Sequence, residues 1–275
     1  MPTVPLYDNL ADSYDLMNDW PARLQNEGGF FQRLFEAHQV GTVLDAACGT
    51  GQHAVAFARW GLQVTGTDLS AAMVARAEDL RDRSAEETGG VPGSPHSAVR
   101  AQHAALPNPR FLMVGFGRHQ AKAPGPFDAV TCLGNSLPHV LEGDALDVAL
   151  ADFRRVLRPG GLLILQNNNY DSIMSQARRF MGLASAESAG KEYLFFRFFD
   201  LGGETIVFHV LTFIKDRGRW SWHEDAARQR PLLRADLEAR LGRQGFGSLL
   251  LFGDCQGNRF QEPSSPNLVL VATRT

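Results

Sequence analysis

Short apolar runs alternate with segments of helical periodicity along most of the chain. Such runs are typical of buried strands, whereas apolar residues three and four positions apart mark the inner face of a helix. The runs predict strands at 42–46, 62–67, 110–114, 127–133, 162–165, 248–253 and 267–273. The segments between them predict helices at 52–60, 70–83, 144–157 and 233–244. This alternation favours an α/β fold with a mostly parallel, Rossmann-like sheet of seven strands.

Four regions depart from that alternation. Residues 1–40 carry aromatic and helical patterns before the first strand and predict an N-terminal helical cover. Residues 190–223 have a period of two and tight turns, which predict an inserted antiparallel β lid over the sheet. Glycine and proline in 84–109 predict a long surface loop, and those in 157–161 predict a helix stop followed by a turn.

Composition narrows the functional class. The chain has 275 residues, of which 44% are hydrophobic, so it can bury the core of one large α/β domain, predicted to span 1–275. A net charge of -3 gives no basic field for nucleic acid or anionic lipid and favours a small-molecule partner. No basic leader or long apolar segment occurs, and a cytoplasmic location is expected.

The cysteines and histidines point to no metal. Cys48, Cys132 and Cys255 are an odd number without close pairing and are interpreted as reduced, packed thiols. The histidines have no metal-ligand spacing with cysteines or acids, and no nucleophile–base pattern is present. Neither a metal site nor a covalent intermediate is therefore expected.

The segment from Val43 to Gly51 carries the strongest chemical signal. Gly49 and Gly51 follow the first strand and allow a sharp turn with close approach to a ligand. Asp68 ends the second strand, where a carboxylate can accept hydrogen bonds from ribose hydroxyls. Asp45 lies at the end of the first strand, where it would attract a ligand amino group and repel a pyrophosphate. The pattern therefore favours a cofactor with a ribose and a cationic amino group, such as S-adenosylmethionine, over a dinucleotide.

This segment resembles motif I of class I S-adenosylmethionine-dependent methyltransferases. The resemblance implies that fold, with S-adenosylmethionine as cofactor and S-adenosylhomocysteine as its product. It also implies a final reversed hairpin, which the last two predicted strands resemble. The residues expected to bind the cofactor are Asp45, Ala46, Gly49, Gly51, Asp68, Leu69, Met73, Phe116 and Leu133. An acid that often follows the third strand in this family is replaced here by Gly115-Phe116-Gly117, so apolar and backbone contacts are expected to hold the adenine.

Residues 40–175 are also similar to glycine and glycine/sarcosine N-methyltransferases, through Leu133-Gly134-Asn135-Ser136 and Asn169-Tyr170-Asp171. In that group the asparagine of the first motif helps to hold the acceptor, a role that the resemblance gives to Asn135. The group has His-Arg where this chain has Asn167-Asn168, so a carboxylate-binding guanidinium is missing and glycine is doubted as the substrate. Arg197 is either a replacement cation or a solvated surface residue.

Four residues are candidates for the catalytic site. Asn135 is expected to contact the acceptor or to accommodate a strained turn. His139 is the nearest candidate for a base, with a packing role as the alternative. Tyr14 and Tyr170 are expected to orient the acceptor or face the sulfonium, or else to pack between cover and sheet.

The predicted function is methyl transfer to a small-molecule acceptor, with an amine nitrogen as the first choice. Direct in-line displacement from a sulfonium needs positioning and exclusion of water more than side-chain chemistry. The alternatives are a small-molecule O-methyltransferase, a nicotinamide-dependent oxidoreductase that shares the glycine turn, and a cofactor-binding sensor without activity.

Overall fold

The computed structural model describes residues 5–87 and 108–275, and most of the loop predicted at 84–109 lies outside this part. The strands are β1 (Thr42–Ala46), β2 (Gln63–Asp68), β3 (Arg110–Met113), β4 (Phe127–Cys132), β5 (Leu157–Asn168), β6 (Ala184–Ser188), β7 (Lys191–Asp200), β8 (Ile206–Asp216), β9 (Arg219–Gln229), β10 (Phe246–Phe252) and β11 (Asn267–Arg274). The helices are α1 (Pro5–Leu10), α2 (Trp20–Ala37), α3 (Gln52–Arg59), α4 (Ala71–Glu87), α5 (His119–Lys122), α6 (Gly143–Val156), α7 (Tyr170–Ser175) and α8 (Arg234–Arg243). Short 3₁₀ turns occur at Tyr14–Met17 and Leu137–His139.

The main sheet has seven strands in the order β10-β11-β5-β4-β1-β2-β3. Strands β1 to β5 are parallel, and β11 runs antiparallel to both β5 and β10. This confirms the predicted α/β fold and its reversed terminal hairpin. The chain leaves β1 toward β2 on one side and returns to β4 on the other, so a crevice opens at the carboxyl ends of β1 and β4.

Apolar side chains cover both faces of the main sheet. Leu44, Val130 and Leu163 belong to the core on one face, while Val43 and Ala129 belong to the core on the other. Strands buried on both faces carry nearly continuous apolar runs, because parallel sheets are covered by helices on both sides. That is why the sequence predicted these strands well.

The largest departures from the predicted element boundaries occur at α4 and at the start of β5. Helix α4 continues to Glu87 instead of ending at residue 83. Helix α6 ends at Val156, and the following Pro-Gly-Gly run lies within β5 instead of forming a separate turn. Leu157 pairs with Phe127 and Leu162 with Ala129, so the residues between them form a bulge in which Gly160 has φ 73°.

The second sheet contains four antiparallel strands in the order β6-β7-β8-β9. The antiparallel strands predicted at 190–223 are confirmed, but the sheet is larger, because it includes β6 and the polar half of β9. Its inner face packs on the N-terminal residues: Phe195 and Val210 form an apolar cluster with Leu6, Leu10 and Met17. The N-terminal segment thus occupies the space between the second sheet and the ends of the main-sheet strands.

Candidate active site

A cavity of about 280 Å³ lies at the carboxyl ends of β4 and β5. Its wall includes Tyr14 and Arg23 from the N-terminal segment, Asn135 and Asn168 from the strand ends, and Arg197 from the second sheet. Three parts of the chain that are distant in sequence therefore meet around one space. The position is the one at which open α/β sheets bind their ligands.

The glycine turn between β1 and α3 borders this region and needs its glycines. Gly51 has φ 80°, and a Cβ there would lie 2.8 Å from the Cβ of Ala77. Gly49 has φ 55°. A Cβ added there would lie 3.9 Å from Cε1 of the Tyr14 ring, which is ordinary van der Waals contact. The turn is therefore close-packed on one side and faces the candidate residue Tyr14 on the other.

Asp15 connects the N-terminal segment to the glycine turn. Its carboxylate accepts hydrogen bonds from the Thr50 hydroxyl at 2.6 Å, the Gln52 amide at 3.1 Å and the Trp20 indole N–H at 2.8 Å. These bonds join two elements of the site through a single side chain. The sequence analysis did not include Asp15 among the site residues, although it directly follows Tyr14.

The two predicted acids, Asp45 and Asp68, lie beside the turn. Asp45 is 2% exposed and accepts a hydrogen bond from the Thr131 hydroxyl at 2.8 Å. Burial raises the pKa of its carboxyl to about 6, with His53 and Thr131 opposing the shift. A buried carboxylate without a cationic partner is destabilised, so Asp45 favours a ligand that brings a positive group.

Asp68 is held by backbone groups of the turns around it. Its Oδ2 accepts a hydrogen bond from the Gly49 N–H at 2.9 Å, and its Oδ1 accepts one from the Ser70 N–H at 2.9 Å. Burial nevertheless raises the pKa of this carboxyl above its usual value, against three opposing backbone hydrogen bonds. The carboxylate is thus fixed in orientation at the end of β2, with lone pairs left for ligand hydroxyls.

The remaining predicted cofactor residues are mostly apolar and buried. Ala46 and Leu133 are part of the core on either face of the main sheet, and Met73 is 1% exposed. Leu69 lies against the loop after β3, since its Cδ1 would be 3.1 Å from a Cβ added to Gly115. The ring of Phe116 packs edge-on against Phe153, with centroids 5.9 Å apart. Their contacts with a cofactor remain predictions.

A chain of polar contacts connects the candidate acceptor residues. Asn135 has φ 66°; its Oδ1 accepts from the Asn168 N–H at 2.9 Å, and its Nδ2 donates to the Tyr170 hydroxyl at 3.0 Å. The Tyr170 hydroxyl in turn donates to Gln229 at 2.8 Å. Both interpretations of Asn135 therefore have support: the residue occupies a left-handed turn, and its amide is fixed at the wall of the cavity.

His139 extends the same chain of contacts. Its Nε2 lies 2.9 Å from the Tyr7 hydroxyl and 3.2 Å from the Gln229 amide nitrogen. Burial lowers the pKa of the imidazole to about 4. The imidazole is therefore neutral at pH 7, and such a low pKa makes it a weak base.

The two candidate tyrosines lie in different environments. Tyr14 lines the cavity, and burial raises the pKa of its hydroxyl, while Arg23 and Arg197 act in the opposite direction. Tyr170 is completely buried behind Asn135. Tyr14 is thus placed to meet a ligand, whereas Tyr170 is placed to hold Asn135 in position.

Sequence reasoning missed several residues of the cavity wall. Tyr7 and Gln229 flank His139, and Arg23 pairs with Glu27 at 2.9 Å. Glu27 also pairs with His53 at 2.8 Å, which connects α2 to α3. The spacing of Arg23 and Glu27 on one helix face was the available signal, but an i,i+4 ion pair is common on solvated helices.

The two asparagines at the end of β5 differ in environment. Asn168 lines the cavity, together with Gln166 two positions earlier. Asn167 is 1% exposed, and neither atom of its amide has a hydrogen-bond partner. Of the two asparagines that replace the His-Arg pair of the related group, only Asn168 therefore faces the candidate site.

The described residues, 5–87 and 108–275, contain neither a metal-ligand cluster nor a membrane-spanning helix. No group of three or more histidine, cysteine or acidic side chains there could hold a metal ion. Among the same residues, no helix is long and apolar enough to cross a membrane. The three cysteines are free.

Comparisons with known proteins agree with this geometry. Residues 43–161 match the family described as "Methyltransferase domain". The glycine/sarcosine N-methyltransferase of Parasynechococcus marenigrum is 35% identical over 168 residues, 61% of this chain and 52% of that protein. Its counterpart from Halorhodospira halochloris is 33% identical over 168 residues, 61% of this chain and 54% of that protein. The chain thus spans about half the length of these curated relatives.

A solved structure extends the likeness to the complete fold. The S-adenosylmethionine-dependent methyltransferase from Clostridium acetobutylicum superposes with a TM-score of 0.70 at 17% identity. The match covers 98% of each chain, including the second sheet. At this identity the comparison supports the architecture, and the candidate residues have to be judged from their own geometry.

Proposed function

Because residues 43–161 match the methyltransferase-domain family and the fold is similar to that of a solved S-adenosylmethionine-dependent methyltransferase, we propose that the protein methylates an amine nitrogen of a small molecule. The bond from the methyl carbon to the sulfonium breaks as the bond to nitrogen forms, and the electron pair returns to sulfur. The amine must present a free lone pair, and its proton leaves after transfer. The related N-methyltransferases support the choice of nitrogen.

The ends of β1 and β2, beside the cavity, fit the cofactor. Asp45 and Asp68 are buried acids beside a glycine turn in which an added Cβ at Gly51 would clash. They would hold the amino group and the ribose hydroxyls, respectively, and Arg23 would attract the carboxylate. S-adenosylmethionine supplies an electrophilic methyl group when bound. The residues of the chain contribute orientation and exclusion of water.

The acceptor wall favours nitrogen over oxygen. Asn135 and Tyr14 present neutral polar groups to the cavity, and these can orient an amine through hydrogen bonds. A hydroxyl acceptor would need a base to remove its proton, yet burial lowers the pKa of His139 to about 4. The observation that carries the proposal is this weakly basic His139, which is hydrogen-bonded to Tyr7, next to the neutral side chains of Asn135 and Tyr14.

Calorimetry and product analysis test the proposal. Titration with S-adenosylhomocysteine is expected to show binding. NAD, which tests the oxidoreductase alternative, is expected to show none. Matched amine and alcohol acceptors are then incubated with S-adenosylmethionine, and products are identified by mass spectrometry. Methylation of the amines supports the proposal. Methylation confined to alcohols supports O-methyl transfer instead, and cofactor binding without any transfer favours a sensor.

A further inference from the structure

Arg197 is a charged residue on the apolar face of the second sheet. Phe195 and Phe199, two positions before and after it on β7, are 0% and 1% exposed. Since side chains alternate across a strand, all three share one face. The residue opposite Arg197 on β8 is Val210, which is also buried. The guanidinium therefore leaves an apolar surface and enters the wall of the cavity.

No counter-ion accompanies this charge within residues 5–87 and 108–275. The Arg197 side chain forms no ion pair there, and its Nε is buried without a hydrogen-bond partner. Burial lowers the pKa of the guanidinium. Arg197 is half-buried, and its buried Nε–H is an unsatisfied donor, which is costly unless a ligand completes its bonding.

The other arginine of the cavity differs in this respect. Arg23 pairs with Glu27 at 2.9 Å, and its guanidinium lies over the Trp20 ring at 4.8 Å. Glu27 is the acid among the described residues of the cavity wall, and it already serves Arg23 and His53. No acid of that wall is left for Arg197.

The charge of the cofactor does not remove this imbalance. S-adenosylmethionine carries a sulfonium, an ammonium and one carboxylate. With the ammonium assigned to Asp45 and the carboxylate to Arg23, the cofactor has no anionic group left for Arg197, and its sulfonium repels the guanidinium. A second ligand that carries an anionic group corrects the imbalance and satisfies the free donor.

We propose that Arg197 binds an anionic group of the methyl acceptor, so the substrate is an amine that also carries a carboxylate, sulfonate or phosphonate. This inference rests on the proposed methyl transfer. The second sheet supplies the cation that the end of β5 lacks, since Asn168 is neutral. Arg197 is thus a specificity-determining residue, and the reacting nitrogen lies between it and Asn135.

The first test is binding, which does not depend on turnover. Acetate, methanesulfonate and methylphosphonate are titrated into S-adenosylhomocysteine-saturated protein, comparing wild type with Arg197→Gln, Arg197→Lys and the exposed control Arg219→Gln. At least one anion is expected to bind about tenfold more weakly to Arg197→Gln, because a charge-assisted bidentate contact is lost. Arg197→Lys should retain part of the affinity, and Arg219→Gln should match wild type. Equal binding of all three anions by wild type and Arg197→Gln overturns the proposal.

The second test uses turnover with matched acceptors. Glycine, taurine and aminomethylphosphonate are compared with glycinamide and ethanolamine by S-adenosylhomocysteine formation. Arg197→Gln should raise KM for the preferred anionic amine about tenfold, with S-adenosylhomocysteine affinity unchanged. Loss of cofactor affinity in this variant would instead assign Arg197 to the cofactor carboxylate and overturn the inference. If no amine of either kind is methylated, the proposed function fails, while the anion titration still decides the role of Arg197.

Thermal unfolding of each variant shows whether a loss of anion binding is caused by misfolding. Gln is uncharged and shorter than Arg, so Arg197→Gln removes a half-buried charge and should fold at least as well as wild type. If Arg197→Gln is unfolded, Arg197→Lys carries the comparison, because it keeps the charge but loses the planar pair of donors.

Discussion

Two regions at the candidate site, a first wall at the ends of β1 and β2 beside the cavity and a second wall on the second sheet, are built on opposite principles. On the main sheet, Asp45 and Asp68 are fixed by Thr131 and by backbone N–H groups around the glycine turn. On the second sheet, Arg197 projects from a row of buried phenylalanines and has no partner among the described residues. The first wall is a preorganised, acidic frame, and the second leaves its charge to be matched by a ligand. Under the proposed function, the cofactor binds at the first wall, and the second wall selects the acceptor.

Gly51→Ala should break the first wall most severely. The new Cβ would lie 2.8 Å from Ala77 Cβ and 2.9 Å from Phe111 Cζ, at a residue with φ 80°. Strain plus overpacking should lower the free energy of unfolding by about 2–4 kcal/mol. The matched control is Gly190→Ala, which has a similar φ of 74° and no atom within 4 Å. Denaturant unfolding measures both, and equal losses would show that packing at the turn is unimportant.

Asp68→Ala should remove the ribose contact without disturbing the second wall. We expect the affinity for S-adenosylhomocysteine to fall by about 1–3 kcal/mol, because a charge-assisted hydrogen bond is lost. Calorimetric titration measures the change, with Asp82→Ala on the exposed face of α4 as control. Unchanged affinity would remove Asp68 from the cofactor site.

The raised pKa of Asp45 predicts that cofactor binding at the first wall depends on pH. Its carboxyl has a pKa of about 6 in the free protein, so it is largely protonated below that pH and unable to pair with an amino group. Affinity for S-adenosylhomocysteine should therefore rise with pH and be about tenfold weaker at pH 5 than on the plateau above the pKa. Asp45→Asn should bind weakly with a flat profile over this range. The same slope in wild type and variant would assign the titration to another group.

Asp45 also affects stability, with a sign that can be checked. Its folded pKa is raised, so the stability that it contributes is present below the unfolded pKa near 3.8 and is lost as pH rises through about 6. The lowered pKa of His139 acts oppositely, because stability is lost as pH falls from about 6.5 toward 4. The two effects offset each other in wild type, which is why the ligand titration is the sharper measurement.

Asn135→Ala is the mildest test and concerns the second ligand. Turnover should fall about tenfold, because one hydrogen bond to the acceptor is lost, while the affinity for S-adenosylhomocysteine stays the same. Asn135→Gly accompanies it, since glycine adopts the φ of 66° without strain and removes only the side chain. Equal loss of turnover and cofactor affinity in both variants would make the turn structural.

The sequence predicted the first wall better than the second. Asp45, Gly49, Gly51 and Asp68 belong to one strand–turn–helix–strand unit, and local geometry places them together. The second wall depends on contacts between distant segments: Tyr7 reaches His139 across 132 positions, and Tyr170 reaches Gln229 across 59. No local pattern fixes such pairs, because they form only when the second sheet docks on the N-terminal segment.

The part of β9 beyond residue 223 was not predicted, for a related reason. The polar half of β9 lacks an apolar run, yet it is held by its ladder with β8, including the pair Val210 and Asp225. Arg197 was equally ambiguous, because alternation along β7 does not say which face another part of the chain covers. Phe195 and Phe199 identify the covered face only after folding is known.

The three hydrogen bonds to Asp15 have a kinetic consequence. They join the N-terminal segment, through Trp20, to Thr50 and Gln52 at the start of α3. If the segment moves away from the turn, the bonds to Thr50 and Gln52 are lost together, because one carboxylate accepts both. Separation of the segment from the turn is therefore expected to be a cooperative event rather than gradual fraying.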